Sequence, residues 1–255
     1  MKLKKLDQTG SHLIAVSLVI VAIAVVGFAG YRVLGQKKDN NTNSQQPSKT
    51  TTESDLVLQN LGIDTLSNVD VTTQATREYQ SRGLKGFYIF GEKLDDTRKN
   101  PNFEYASLKT GTKAVAAIDG TVTFVKLQND SNDYEVMVQP KDGSAWTIGY
   151  DHLVKLTVKQ GDTVKAGDPL GEPNVQNNGL LRFEVQINKD ADGQTTHYCP
   201  SNLLAANVKD QLLTELKTMQ NQWNTTTGYQ LYDVSQQNPV GCLKTTMTPA
   251  EAEGR

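Results

Sequence analysis

Residues 146–171 read WTIGYDHLVKLTVKQGDTVKAGDPLG, and residues 179–187 answer them with GLLRFEVQI. Trp146–Tyr150 is a short β-forming run, and Leu180–Ile187 is apolar at nearly every second or third place. Between them lie two turn-forming steps, Gly161-Asp162 and Gly167-Asp168, with Val164, Ala166 and Leu170 as an inward face. Glycine supplies the left-handed conformation that a tight turn needs. Short strands separated by such turns predict a mostly β domain, a glycine-turn sandwich or barrel-sandwich-like core in which every strand buries one face.

Working outward, residues 109–122 (KTGTKAVAAIDGTV) give another strand-turn-strand signal. Together with Tyr150-Asp151-His152-Leu153, the VKQGDTVKAGDPLG run and Phe183-Glu184, this stretch resembles the β core of the lysostaphin/LytM-type zinc metallopeptidases. Those enzymes cut peptide bridges in bacterial cell walls. The likeness covers roughly residues 84–204 and implies the duplicated hybrid motif of that family. It also implies a zinc centre, with two ligands from an HxxxD motif before the first glycine turn and the third from the last histidine of HxH.

Here those positions depart from the pattern. Counting back from Gly111 places the first two ligands on Pro101 and Tyr105, and the HxH segment reads Leu180-Leu181-Arg182. Arginine is always cationic and has no lone pair for a metal. Only His152 of the family's catalytic groups remains, so the expectation is no catalytic residue beyond this remnant and no bound metal. The ligand-groove candidates are His152, Arg182, Glu184, Tyr105 and Tyr150. Arg182 would point to the family's metal position and could pair with Glu104, Asp151 or Glu184, while Glu184 is expected to face outward. The competing reading keeps zinc, with His152, His197 and one of Asp95 and Asp96 as atypical ligands.

The chain has 26 Lys and Arg against 28 Asp and Glu. Residues 1–38 hold Lys2, Lys4, Lys5, Arg32, Lys37 and Lys38 against Asp7 alone, so the remainder is net acidic. An acidic body argues against nucleic acid as a partner. Residues 1–12 read as a cytoplasmic tail, and residues 13–34 as a single-pass transmembrane helix. About 20 apolar residues at 1.5 Å each span a hydrocarbon core. A cleaved signal peptide is the rival, since Gly27-Phe28-Ala29 is a small-x-small site. The N-terminus is expected inside and the C-terminal domain outside, facing the envelope. Residues 35–54, almost without apolar side chains, read as a disordered linker.

Residues 55–83 read as a short helical or irregular lead-in carrying Leu56, Leu58, Leu61, Ile63 and Leu66, and residues 84–90 as the first strand. Further strands are expected at 113–117, 121–127, 133–139 and 146–150. Leu204, Val208, Leu212, Leu216, Met219 and Trp223 recur every three or four places and predict an amphipathic helix over 205–224. Residues 225–255 read as a polar tail that frays after Met247. Cys199 and Cys242 are the only cysteines, and outside a membrane a disulfide is their default. Three functions compete. One is a membrane-anchored binding or regulatory module in peptidoglycan metabolism, whose partners would be peptidoglycan peptides or a cell-wall hydrolase. The others are an active zinc endopeptidase and an adaptor or carrier module of an export system.

Overall fold

A computed structural model describes residues 56–71, 79 and 83–255, which lie in one compact unit, Ser54–Arg255. The expected tail, transmembrane helix and linker of residues 1–54 fall outside the described residues. Among the described residues no helix is long and apolar enough to cross a membrane.

The domain is mostly β and antiparallel. Its strands are β1 (Phe87–Tyr88), β2 (Phe103–Leu108), β3 (Ala114–Val115), β4 (Gly120–Gln128), β5 (Asp133–Gln139) and β6 (Trp146–Val154). They continue with β7 (Thr163–Val164), β8 (Pro169–Val175), β9 (Leu181–Ala191), β10 (Gln194–Tyr198) and β11 (Thr246–Met247). The main path runs β1-β2-β9-β8-β6-β5-β4-β7. β9 is the hub because it is 11 residues long. Its first half pairs with β2 on one edge, and its second half pairs with β10. Its other edge is shared by β8 and β6.

The two glycine-aspartate steps fold alike. Gly161 has φ 94° and Gly167 φ 93°. In the first turn the Lys159 N–H donates to Asp162 Oδ2 at 3.0 Å, and in the second Lys165 N–H donates to Asp168 Oδ2 at 2.8 Å. The sequence repeats because the turn repeats: glycine takes the left-handed position and aspartate satisfies the free amide.

Strand alternation divides the sheet into two faces. Tyr105, Tyr150 and Phe183 stack on the core face, with ring centroids 6.2 Å apart for Tyr105–Phe183 and 6.3 Å for Tyr150–Phe183. The described part of the lead-in covers this face as extended chain with a 3₁₀ turn at Leu66–Asn68, the irregular form of the helical or irregular expectation. Leu58 N–H donates to Leu203 O at 2.8 Å and Ala205 N–H to Leu58 O at 2.9 Å. Gly62 sits at φ 86° against Phe183 and Val185, where an added Cβ would come within 2.3 Å of a Val185 methyl. A left-handed glycine in close contact ends any helix there. Leu56, Leu58, Leu61, Ile63 and Leu66 are all buried. Each such side chain contributes about 1.5–3 kcal/mol of burial.

The first strand shortens to Phe87–Tyr88, with Gly86 pressed against the Trp223 ring. Helix α1 spans Ala206–Thr227 and buries Leu216, Met219, Gln220 and Trp223. It ends at Gly228, φ 74°, whose N–H returns to Asn224 O. The remainder is not a fraying tail. Tyr232 Oη donates to Phe87 O at 2.5 Å, Met247 is buried on β11, and α2 (Pro249–Glu253) carries a Thr248/Glu251 capping box. Cys199 and Cys242 are bonded, with Cα atoms 5.9 Å apart, and Cys242 also bridges Phe90. Scattered apolar residues and the disulfide fix this segment, which shows no periodicity.

Candidate functional site

Opposite the aromatic core, neighbouring strands bring carboxylates together. Glu104 on β2 registers with Glu184 on β9, which registers with Asp151 on β6. Directly opposed residues share a face, so three acids stand in a row. Arg182 precedes Glu184 by two and shares that face. Its Nε donates to Glu104 Oε1 at 2.8 Å, and its Nη2 donates to Glu184 Oε1. The Asn102 amide nitrogen donates to the other oxygen of Glu184. Glu184 is therefore paired within the site and does not face outward.

His152 joins this row by an irregular backbone. It has φ 63° within β6, and its N–H donates to Asp151 Oδ1 at 2.7 Å. A left-handed non-glycine residue costs on the order of 1–3 kcal/mol and persists only where its surroundings hold it. Here the ring is held at both nitrogens. Nδ1 meets Asp133 Oδ2 at 2.8 Å, and Nε2 lies 3.4 Å from Glu184 Oε1 and 4.0 Å from Asp151 Oδ2. Asp133 is wholly buried and also accepts from Ser131 Oγ and, at 3.0 Å, from Asn174 Nδ2.

Electrostatics follow from this packing. Burial and Arg182 both act to lower the His152 pKa, but Asp151, Asp133 and Glu184 outweigh them and raise it to about 10. Burial pushes Glu184 up, yet Arg182 and His152 hold it at about 2. Burial raises Glu104 and Asp151 despite the nearby cations. On β5, burial and then Asp151 push Glu135 up to about 7. At neutral pH the centre is thus an imidazolium and a guanidinium set among acids. Asp133, Asp151 and His152 offer ligand atoms within 4.8 Å of one another.

The structure brings together His152, Arg182 and Glu184 from the sequence-based candidates. It does not bring Tyr105 or Tyr150 to this cluster. The Tyr105 hydroxyl donates to Leu61 O at 3.0 Å, and Tyr150 Oη accepts from Ala117 N–H at 2.7 Å, both in the core. Each tyrosine neighbours a site acid, Glu104 or Asp151, and a step of one residue along a strand reverses the face. The same slip affects the counted ligand positions: Glu104, not Tyr105, stands beside Arg182. Sequence counting missed Asn102 and Asp133, and named Glu104 as one possible partner of Arg182, which the structure bears out. The alternation Phe103-Glu104-Tyr105, with one polar residue between two aromatics, is the signal that sets Glu104 rather than Tyr105 on this face.

The atypical ligand set is not assembled around His152. The His197 ring is buried against Asn188 Oδ1 at 2.6 Å, and burial lowers its pKa to about 4. Asp95 accepts from the N–H groups of Thr97 and Arg98 in an exposed loop. Cys199, two residues after His197, is committed to the disulfide.

Residues 104–195 match the model of Peptidase family M23, which bears out the lysostaphin/LytM-type likeness read from the motifs. No curated protein matches the sequence. Among solved structures, the chain is similar to the catalytic domain of the antimicrobial peptidase lysostaphin from Staphylococcus simulans. The two are 20% identical over 41% of this chain and 79% of that one, with a TM-score of 0.35. A variant catalytic domain of the prophage-encoded M23 protein EnpA from Enterococcus faecalis is 23% identical over 45% of this chain and 88% of that one, with a TM-score of 0.36. A chain of the SpoIIQ–SpoIIIAH pore-forming complex is 21% identical over 59% of this chain and 92% of that one, with a TM-score of 0.37.

Proposed function

We propose that this M23-like domain works without a catalytic zinc, as a binding or regulatory module in cell-wall metabolism. The observation that carries the reading is Arg182, clamped between Glu104 and Glu184 in the centre of the site. A hydrolytic zinc centre needs three lone-pair donors and an open position for water. Arg182 offers none and opposes any incoming cation. At ~4 Å and an effective dielectric of about 20, each metal charge meets roughly 4 kcal/mol of repulsion. His152, held as an imidazolium, is equally unsuited as a ligand. The residues as arranged therefore do not fit the metal that the family implies, and no hydrolytic step is routed through it.

In this reading residues 13–34 anchor the protein in the membrane with the domain outside, and its partners are peptidoglycan peptides or a wall hydrolase. The acidic row and its two cations hold the groove's shape instead of activating water. A second reading, an active endopeptidase with unusual ligands, draws on the grouping of Asp133, Asp151 and His152. Metal analysis of the purified full chain, with cleavage assays on peptidoglycan, separates the two. The proposal expects no stoichiometric zinc and no cleavage. Zinc that a chelator removes together with activity establishes the second reading.

A further inference from the structure

A cavity of about 540 Å³ opens between the last turns of α1 and the chain that leaves it, beyond the family-matched residues 104–195. Small-molecule pockets run from roughly 300 to 1,000 Å³. One wall is Tyr229, a large aromatic left 57% exposed. The ring is fixed before any ligand arrives. Gly228 turns the chain left-handed at φ 74°, the Tyr229 N–H donates to Thr227 Oγ1 at 3.3 Å, and its carbonyl accepts from Leu231 N–H at 3.0 Å. Tyr79 packs beside it with ring centroids 5.8 Å apart. The base is equally set: Asn224 Nδ2 donates to Tyr232 O at 2.8 Å, and its Oδ1 accepts from Tyr232 N–H at 3.0 Å.

The polar groups around the ring are uncharged and unspent. Asn221, Thr225 and Gln230 line the cavity, are exposed, and make no side-chain hydrogen bond among the described residues. Asp233, the one charged residue of the lining, is taken up by its own turn, accepting from the Ser235 N–H at 3.0 Å and Oγ at 2.6 Å. No lining cation offers an anion its counter-charge. A purely apolar ligand would leave the amides it covers unpaired, at a cost. A pyranose meets both demands, with an apolar C–H face for the aromatic ring and a polar edge for the amides and hydroxyl. Half-buried Val234 adds a small apolar contact suited to an acetyl methyl. We propose that this cavity binds an N-acetylated sugar chain. Tyr229 stacks on one ring, and Asn221, Thr225 and Gln230 pair with its hydroxyl and acetamido groups. In the cell-wall setting proposed above, the ligand is the glycan strand and not the peptide bridge. The site stands apart from the Arg182 centre and does not depend on whether that centre holds metal.

The test titrates the purified full chain, kept in a detergent without a sugar headgroup, with tetra-N-acetylchitotetraose, read by calorimetry and by saturation transfer to the ligand protons. Wild-type protein is expected to bind it. Cellotetraose, the same backbone without acetamido groups, should bind at least about tenfold more weakly. Tyr229→Ala should weaken chitotetraose binding by about tenfold or more with the thermal midpoint held, because the ring is largely exposed. Tyr229→Phe, which keeps the stacking face, should bind as wild type. Gln230→Ala should weaken binding severalfold, and it decides the matter if Tyr229→Ala does not fold. Absence of binding by the wild type overturns the proposal. So does equal binding of the two tetrasaccharides, or undiminished binding by folded Tyr229→Ala or by Gln230→Ala. Stoichiometric zinc in the wild type would sink the metal-free reading and leave this site standing, whereas a metal-free wild type that ignores the sugar sinks this inference only.

Discussion

Arg182 and His152 show how two residues set the character of the centre. The Arg182 side chain is 21% exposed and its partners Glu104 and Glu184 are 14% and 15% exposed, so water screens these pairs weakly. Removing one partner of a buried ion pair costs about 3–5 kcal/mol, because the remaining charges lose compensation. Arg182→Ala in metal-free buffer is expected to lose stability at the lower end of that range, read by urea unfolding. His152 gives a pH signature. Its folded pKa, near 10, stands above its ordinary value of 6.5, so the folded state holds the proton more tightly than the unfolded chain. The stabilisation is complete below pH 6.5 and is lost as pH rises through about 10. The depressed His197 acts in the opposite sense: between about pH 4 and 6.5 stability rises with pH. Unfolding free energy measured against pH should therefore fall on the alkaline side. That alkaline slope should flatten in His152→Gln, while the acidic slope remains.

At the scale of elements, the segment after α1 carries more of the fold than its composition suggests. The disulfide joins residues 43 apart in sequence, and closing such a loop contributes roughly 4 kcal/mol in the chain-entropy account. Replacing both cysteines with alanine should lower stability by that order, measured under non-reducing conditions against disulfide-intact wild type. Trp223, wholly buried on α1, fills the space above Gly86. Trp223→Ala is expected to cost about 3–5 kcal/mol, the usual penalty for emptying a large aromatic site. Deletion of residues 225–255 removes Tyr232, Cys242, Met247 and Ala252 from the core together. That truncation should abolish the cooperative thermal transition, whereas a dispensable tail would leave the transition intact.

For the whole molecule, the expected anchor at residues 13–34 and linker at 35–54 make a concrete topology. The full chain should fractionate with membranes, and protease added to intact cells or spheroplasts should cut within the linker. A soluble form beginning near Gly30 would indicate cleavage. The described domain should itself resist protease through residues 225–255, because their apolar side chains are packed and their backbone is bonded.

The sequence by itself determined the mostly β class, the glycine-aspartate turns, the amphipathic helix and the family likeness, while the antiparallel order of the strands came from the fold. These are local matters: alternation, turn chemistry and 3.6-residue periodicity are written in neighbouring residues. It also marked His152, Arg182 and Glu184, since two sit in quoted motif positions and one stands where a ligand histidine would be. Tertiary structure decided the rest. Whether Glu104 or Tyr105 faces Arg182 depends on strand parity, which a count from a distant glycine cannot fix to one residue. Whether Arg182 meets Glu104, Glu184 or Asp151 depends on the register of three strands, and Asp133 reaches His152 only because the β6 backbone turns left-handed there. Cys199 and Cys242 were visible as a pair, but only the fold shows that the chain between and beyond them is packed into the core.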